Sequence, residues 1–130
     1  MRKKVFGRKL SRGRKAREAL FSSLVSSLIV NGKVVTTKAK AKAIRGVIES
    51  YLSLVKKGSL SVRRRILAEL RNNNEAVKTL FNKKFVSVKI INLPRRKGDN
   101  AEISRMELIE EKIKESKSKN ENVSTKTKGS

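Results

Sequence analysis

Phe85–Asn92 reads FVSVKIIN, and it is followed by LPRRKGDN at Leu93–Asn100 and AEISRMELIE at Ala101–Glu110. In the first segment Val86, Val88 and Ile90 alternate with Ser87 and Lys89. A period of two puts successive side chains on opposite faces, which predicts a strand with one buried side. The proline, glycine and asparagine that follow turn the chain, and the third segment returns as a second strand. The pair is a hairpin with a long basic loop. Most of the chain upstream has a helical period, so this stretch makes the chain α+β rather than all-helical.

Upstream, Leu20, Leu24 and Leu28 recur every fourth residue. Phe21, Val25 and Ile29 widen that stripe, while Ser22, Ser23, Ser26 and Ser27 take the other side. This predicts a helix beginning near Arg14 and ending at Asn31–Gly32, a natural left-handed stop. Lys33 to Thr36 reads as a short strand and is a candidate third member of the sheet. Thr37 is then placed to cap a second helix. On that helix Lys38, Lys42, Arg45, Glu49 and Lys56 fall on one face, and Ile44, Val47, Ile48, Tyr51 and Val55 on the other. Lys40 falls on the apolar side, but in the first turn. Lys57–Gly58 closes the helix. Ser59 or Ser61 starts a third helix, with Leu60, Ile66, Leu67 and Leu70 inward and Arg63, Arg64 and Arg65 mostly outward. After Asn72-Asn73-Asn74, Asn74 is expected to cap a short fourth helix carrying Val77, Leu80 and Phe81. The expected fold class is therefore α+β: about four helices packed with a small two- or three-stranded sheet. It has three parts: a basic arm over residues 1–13, one α+β domain over 14–110, and a flexible Lys/Glu/Ser-rich tail over 111–130.

The totals narrow the function. In 130 residues there are 34 Lys and Arg against 11 Asp and Glu, a net charge of +23. Such an excess repels itself in a compact free domain and suits a chain that lies against a polyanion. With no cysteine and no histidine, cysteine or histidine zinc sites, Cys nucleophiles, Ser–His triads and disulfides are excluded. No run of residues approaches the ~20 apolar positions that span a bilayer, and MRKKVFGRKL has no apolar core behind its charges, unlike a secretory signal. No phosphate-cradling glycine motif and no placeable carboxylate pair supports an enzyme. No cofactor and no small-molecule substrate is expected.

The cations fall into constellations. Residues 1–17 hold nine basic residues and no acid. Arg2, Lys3, Lys4, Arg8, Lys9, Arg12, Arg14 and Lys15 are candidates for phosphate contacts, where Lys and Arg release counterions and Arg matches phosphate oxygens with a fork of donors. In VVTTKAKAKAIR, Val34–Arg45, Lys38, Lys40 and Lys42 crowd a helix start, where the helix dipole disfavours cations. A bound phosphate supplies the missing anion. Thr36 and Thr37 offer hydroxyls, the helix start offers free N–H groups, and Arg45 extends the face. Arg95, Arg96 and Lys97 sit at the hairpin tip. Arg63-Arg64-Arg65 spans about 200° of helix, so the three cannot share a face. Aromatics are few, and only Phe6 stands outside an apolar pattern.

Four pieces, MRKKVFGRKLSR, REALFSSLVSSLI, VVTTKAKAKAIR and LPRRKGDNAEISRMELIE, occur in this order. Together they resemble the bacterial large-subunit ribosomal protein of family seventeen, from Met1 to about Glu110. The chain departs from the family pattern in having no histidine, and in carrying the shorter KKFVSVK where a Gly-Gly-Tyr-Thr-Arg-like segment is usual. The resemblance implies an α+β domain beside a basic N-terminal extension. It implies a cytoplasmic structural constituent of the large subunit, clamping 23S-type ribosomal RNA near the outer end of the peptide exit tunnel beside other ribosomal proteins. The alternative is an architectural, nucleoid-type DNA-binding protein, which composition alone does not separate. A membrane-surface role is disfavoured, since the apolar helix faces are needed for a core.

Overall fold

The computed structural model describes residues 7–111. The element order is α1 (Arg14–Asn31), β1 (Lys33–Thr37), α2 (Lys38–Val55), α3 (Leu60–Glu69), α4 (Asn74–Asn82), β2 (Phe85–Leu93) and β3 (Ile103–Glu110). The α+β reading holds, with four helices and three antiparallel strands in the order β1-β3-β2. The short strand does join the hairpin: Lys33 lies opposite Glu107, and Thr37 opposite Ile103. The last strand in sequence is thus the central one. Expectations for Arg2, Lys3, Lys4 and Phe6, and for the tail beyond Glu111, fall outside the described residues.

The helices pack on one face of the sheet. Val25, Leu28 and Ile29 of α1, Ile44, Ile48 and Leu52 of α2, and Ile66 and Leu70 around α3 are buried together. They meet Ala76, Val77 and Leu80 of α4, and Val88, Met106 and Leu108 from the sheet. Burial of apolar area of this kind is the main term holding such a domain together. Gly32 ends α1 in the left-handed region, φ 73°, with its N–H donating to Leu28 O at 2.8 Å. Glycine adopts that conformation without a Cβ penalty.

Four local expectations change. The alternation in FVSVKIIN is interrupted by a bulge between Phe85 and Ser87. The extra residue turns Val86 outward, 52% exposed, while Val88 stays buried. Ser22 is buried rather than on a polar face, and it lines one hollow with Phe21, Val47 and Tyr51. Leu60, expected inward, is 63% exposed, since as the first residue of α3 it precedes the packed turn. The fourth helix is capped by Asn73, whose side chain accepts from Ala76 N at 3.1 Å, with Asn74 its first helical residue. The Ser59 cap is as expected, accepting from Val62 N at 3.3 Å.

Candidate nucleic-acid interface

β1 runs into α2 without a loop: Thr37 is the last strand residue and Lys38 the first helical one. Alternation along β1 sends the two threonines to opposite faces. Thr36 lies opposite buried Ser104, whose Oγ is 3.2 Å from Asn92 Oδ1, on the helix-facing side. Thr37 faces the other way, in the N-cap position, and its side chain caps no helix N–H. The Lys38 N–H donates instead to the Glu102 carbonyl at 3.0 Å. The next N–H groups of the first turn lack intrahelical acceptors, as at any helix start.

Around this junction three separate parts of the sequence converge. A cleft of about 330 Å³ is lined by Arg8 from the N-terminal segment, by Thr37, Lys38 and Lys42 from the junction, and by Glu102 from the start of the returning strand. A smaller hollow of about 120 Å³ adjoins it, sharing Lys38 and Glu102 and adding Arg95. The Glu102 carboxylate lies between two cations, 3.3 Å from Lys38 Nζ and 3.6 Å from Arg95 Nη2. Four cations thus meet one carboxylate. The electrostatic result is a concave surface of net positive charge at a helix N-terminus, which is chemistry for an anion.

The hairpin loop that brings Arg95 here is held from within. Arg96 forms a two-pronged pair with Asp99, and Asp99 Oδ1 also accepts the Ala101 N–H at 3.2 Å. The Arg96 guanidinium, then that N–H, hold the Asp99 carboxyl down at about 2. Backbone bonds from Arg96 N to Ala101 O and from Asn100 N to Arg96 O close the turn, with Gly98 at φ 104°. Arg96 therefore shapes the loop, while Arg95 and the exposed Lys97 are presented by it.

The remaining candidates are more dispersed. Lys40 is half-buried, as its place on the apolar side requires, and Lys42 and Arg45 are exposed. Arg45 Nε is paired with Glu49 at 2.7 Å, and Arg14 Nε with Glu18 at 2.9 Å. Lys9 and Arg12 lie in a turn before α1, closed by Arg12 N to Lys9 O at 3.1 Å, and Lys15 is exposed in the first turn of that helix. The three consecutive arginines diverge as their rotation requires. Arg63 lies over the Phe81 ring, 5.5 Å from its centroid, and Arg65 pairs with Glu69 at 3.0 Å. Arg64 is exposed, with no carboxylate partner among the described residues.

Sequence reasoning missed Glu102 and Asp99. Asp99 had a signal, since Gly-Asp-Asn is a turn sequence. Glu102 had none, because its approach to Lys38 spans about half of the chain. A larger cleft of about 420 Å³ lies at the middle of α2 and is lined by Glu18, Glu69, Ser22 and Tyr51. Burial, and then the neighbouring Glu69 carboxylate, push the Tyr51 hydroxyl above its ordinary range. Arg71 also lines it, but two carboxylates against one lining cation make it a poorer anion site than the hollow at the start of α2. Among the described residues no group of His, Cys, Asp or Glu is arranged to hold a metal, and no helix is long and apolar enough to cross a membrane.

Comparison with known proteins gives this surface a context. The family described as Ribosomal protein L17 matches residues 20–109. The chain is 38% identical over 124 residues to the large ribosomal subunit protein bL17 of Persephonella marina, covering 88% of this chain and 100% of that one. It is 35% identical over 121 residues to the bL17 protein of Allorhizobium ampelinum, covering 87% and 85% of the two chains. Against the bL17 protein of Lactiplantibacillus plantarum it is 36% identical, covering 79% and 98%. With the family matched over most of its folded part, and relatives matched over most of their length, this chain belongs to the ribosomal protein L17 family.

Proposed function

We infer that the basic surface at the start of α2 is where this chain grips ribosomal RNA. As a member of its family the chain is a structural, non-catalytic constituent of the cytoplasmic large ribosomal subunit, bound to its 23S-type RNA and to neighbouring ribosomal proteins. The observation that carries the site is the convergence of Arg8, Lys38, Lys42 and Arg95 on adjoining hollows at a helix N-terminus. Lys and Arg there neutralise phosphates, and the helix start adds N–H donors. Lys9 and Arg12 before α1, and Arg14 and Lys15 in its first turn, extend the contact, with Arg2, Lys3 and Lys4, which precede them in sequence, as further candidates. Lys40 and Arg45 continue it along α2, and Lys97 continues it at the hairpin tip. Thr37 faces the phosphates, while Thr36 and Arg96 hold the junction and the loop in shape. We further propose that the chain lies beside the outer end of the peptide exit tunnel, a reading supported only by the resemblance of its motifs.

The test is sedimentation of the tagged full chain from gently lysed cells in magnesium buffer, with a high-salt wash, beside RNA binding by a Lys38→Ala/Lys42→Ala/Arg95→Ala variant. The native chain should remain with large subunits. The variant should bind ribosomal RNA with a log–log salt slope shallower by about 2, three contacts at about 0.7 each for unpaired strands. Recovery of the native chain with chromosomal DNA, or an unchanged slope in a folded variant, would sink this reading.

A further inference from the structure

We propose that the opposite end of α2 carries a second RNA-contact site, built to hold one unstacked nucleotide of ribosomal RNA. The proposal rests on the reading that the chain binds ribosomal RNA, and it concerns a surface separate from the one at Lys38. The two are separated by the length of α2, 18 residues or about 27 Å at 1.5 Å per residue.

A cleft of about 330 Å³ opens where α2 ends, between the end of α4 and the start of β2. Its floor is the uncovered margin of the core: Val55 and Phe81 are only partly buried, beside Phe85. Its rim is basic: Lys56 follows α2, Lys83 follows α4, and Lys84 precedes β2. Lys83 Nζ is held by Glu110 at 2.9 Å. Lys56 and Lys84 are exposed and have no carboxylate partner among the described residues. Glu111 also lines the cleft, its N–H bonded to Lys84 O at 2.8 Å. The Arg63 guanidinium over the Phe81 ring adds a further cation beside it.

Cations after helix C-termini favour the helix dipoles, and this accounts for Lys56 and Lys83 singly. It does not account for an apolar floor, made by the partly buried Val55 and Phe81 over buried Phe85, left open between them. An apolar floor in a cleft within the size range of small-ligand clefts, rimmed by three lysines and one glutamate, suits the two things a splayed-out nucleotide offers. Its base has a π-face to lay on an aromatic or aliphatic surface, and its phosphates meet the ammonium groups. A neighbouring protein's apolar side chain would use the floor but would leave Lys56 and Lys84 without a counter-charge. A chain with RNA at both ends of one rigid helix fixes the distance between two RNA segments, which is how a small protein stiffens a large RNA.

The test uses the full chain in assembled large subunits. Lys84→p-benzoylphenylalanine is introduced, the subunits are irradiated, and the adduct is mapped. A crosslink to one nucleotide supports the site. A crosslink to another ribosomal protein, or to residues 112–130 of this chain, overturns it. In parallel, Lys56→Ala/Lys84→Ala should bind ribosomal RNA with a salt slope shallower by about 1.4, and Lys56→Arg/Lys84→Arg should restore it. A folded alanine variant that stays with large subunits and keeps the native slope overturns this second site alone. Loss of the native chain from large subunits would instead overturn the reading on which it rests.

Discussion

Glu102→Gln separates two views of the carboxylate that sits among the cations. In the structure Glu102 bridges Lys38 at 3.3 Å and Arg95 at 3.6 Å, with all three side chains about a third or more exposed. Exposed pairs of this kind contribute roughly 0.2–1 kcal/mol each, so losing both costs stability on the order of 1 kcal/mol. For a domain near 100 residues that lowers Tm by about 4–8 °C. RNA binding moves the other way. A phosphate seated on Lys38 would lie about 6 Å from the carboxylate, a repulsion of about 0.7 kcal/mol in water-like surroundings and more once RNA excludes solvent. Removing that charge should tighten binding by about threefold or more. The assay is a filter or fluorescence titration against ribosomal RNA at fixed magnesium and 0.1 M salt, with a thermal melt alongside. Weaker binding by a folded Glu102→Gln chain would rule out a competition between Glu102 and phosphate. It would mean that Glu102 positions Lys38 and Arg95 for RNA, and that the competition drawn here is absent.

Leu28→Ala, at a site only 1% exposed, should lower unfolding free energy by about 3–5 kcal/mol; a loss under about 1 kcal/mol in urea denaturation would contradict the packing described. Asn73→Ala should cost about 1 kcal/mol through the lost cap, while Asn74→Ala should change stability by less than half of that; the reverse order in paired melts would restore Asn74 as the cap. Asp99 is held at about 2 against an ordinary value of 3.8, so protonation is disfavoured in the folded loop. The loop's stabilisation is present above about pH 4 and lost as pH falls through about 2, which carboxyl-carbon NMR of Asp99 should show, and Asp99→Asn should abolish that titration without moving the core signals.

Much of this molecule could be read from spacing. The stripes in α1 and α2, the left-handed end at Gly32 and the period-two runs of β2 and β3 are local signals, because each depends on a single element's geometry. The cations Arg8, Lys38, Lys42 and Arg95 were visible as candidates for the same reason. Their convergence was not. It depends on Glu102 crossing to Lys38 and on β3 pairing with β1, contacts that no local period encodes. The bulge at Val86 defeated the alternation rule because one inserted residue reverses the facing of its neighbours. Ser22 defeated the polar-face rule because its neighbours include Val47 and Tyr51 of α2, a tertiary contact that the period of α1 alone does not encode. The choice between Asn73 and Asn74 rests on one residue of phase, below what sequence resolves at a helix boundary.

The central position of the last strand sets a clock on synthesis. β1 and β2 are both bonded to β3 and not to each other. As the chain is made, β1 has no strand to pair with until residues 103–110 have followed it out, and Glu102 reaches Lys38 only then. The helices, closed by near-neighbour bonds, can form earlier; the sheet must wait for long-range closure, which is the slower step. A chain halted before Ile103 therefore carries the charges of the α2 surface without its geometry. RNA meeting such a chain encounters loose cations, and the shaped surface at the β1–α2 junction exists only when translation of the folded part is complete.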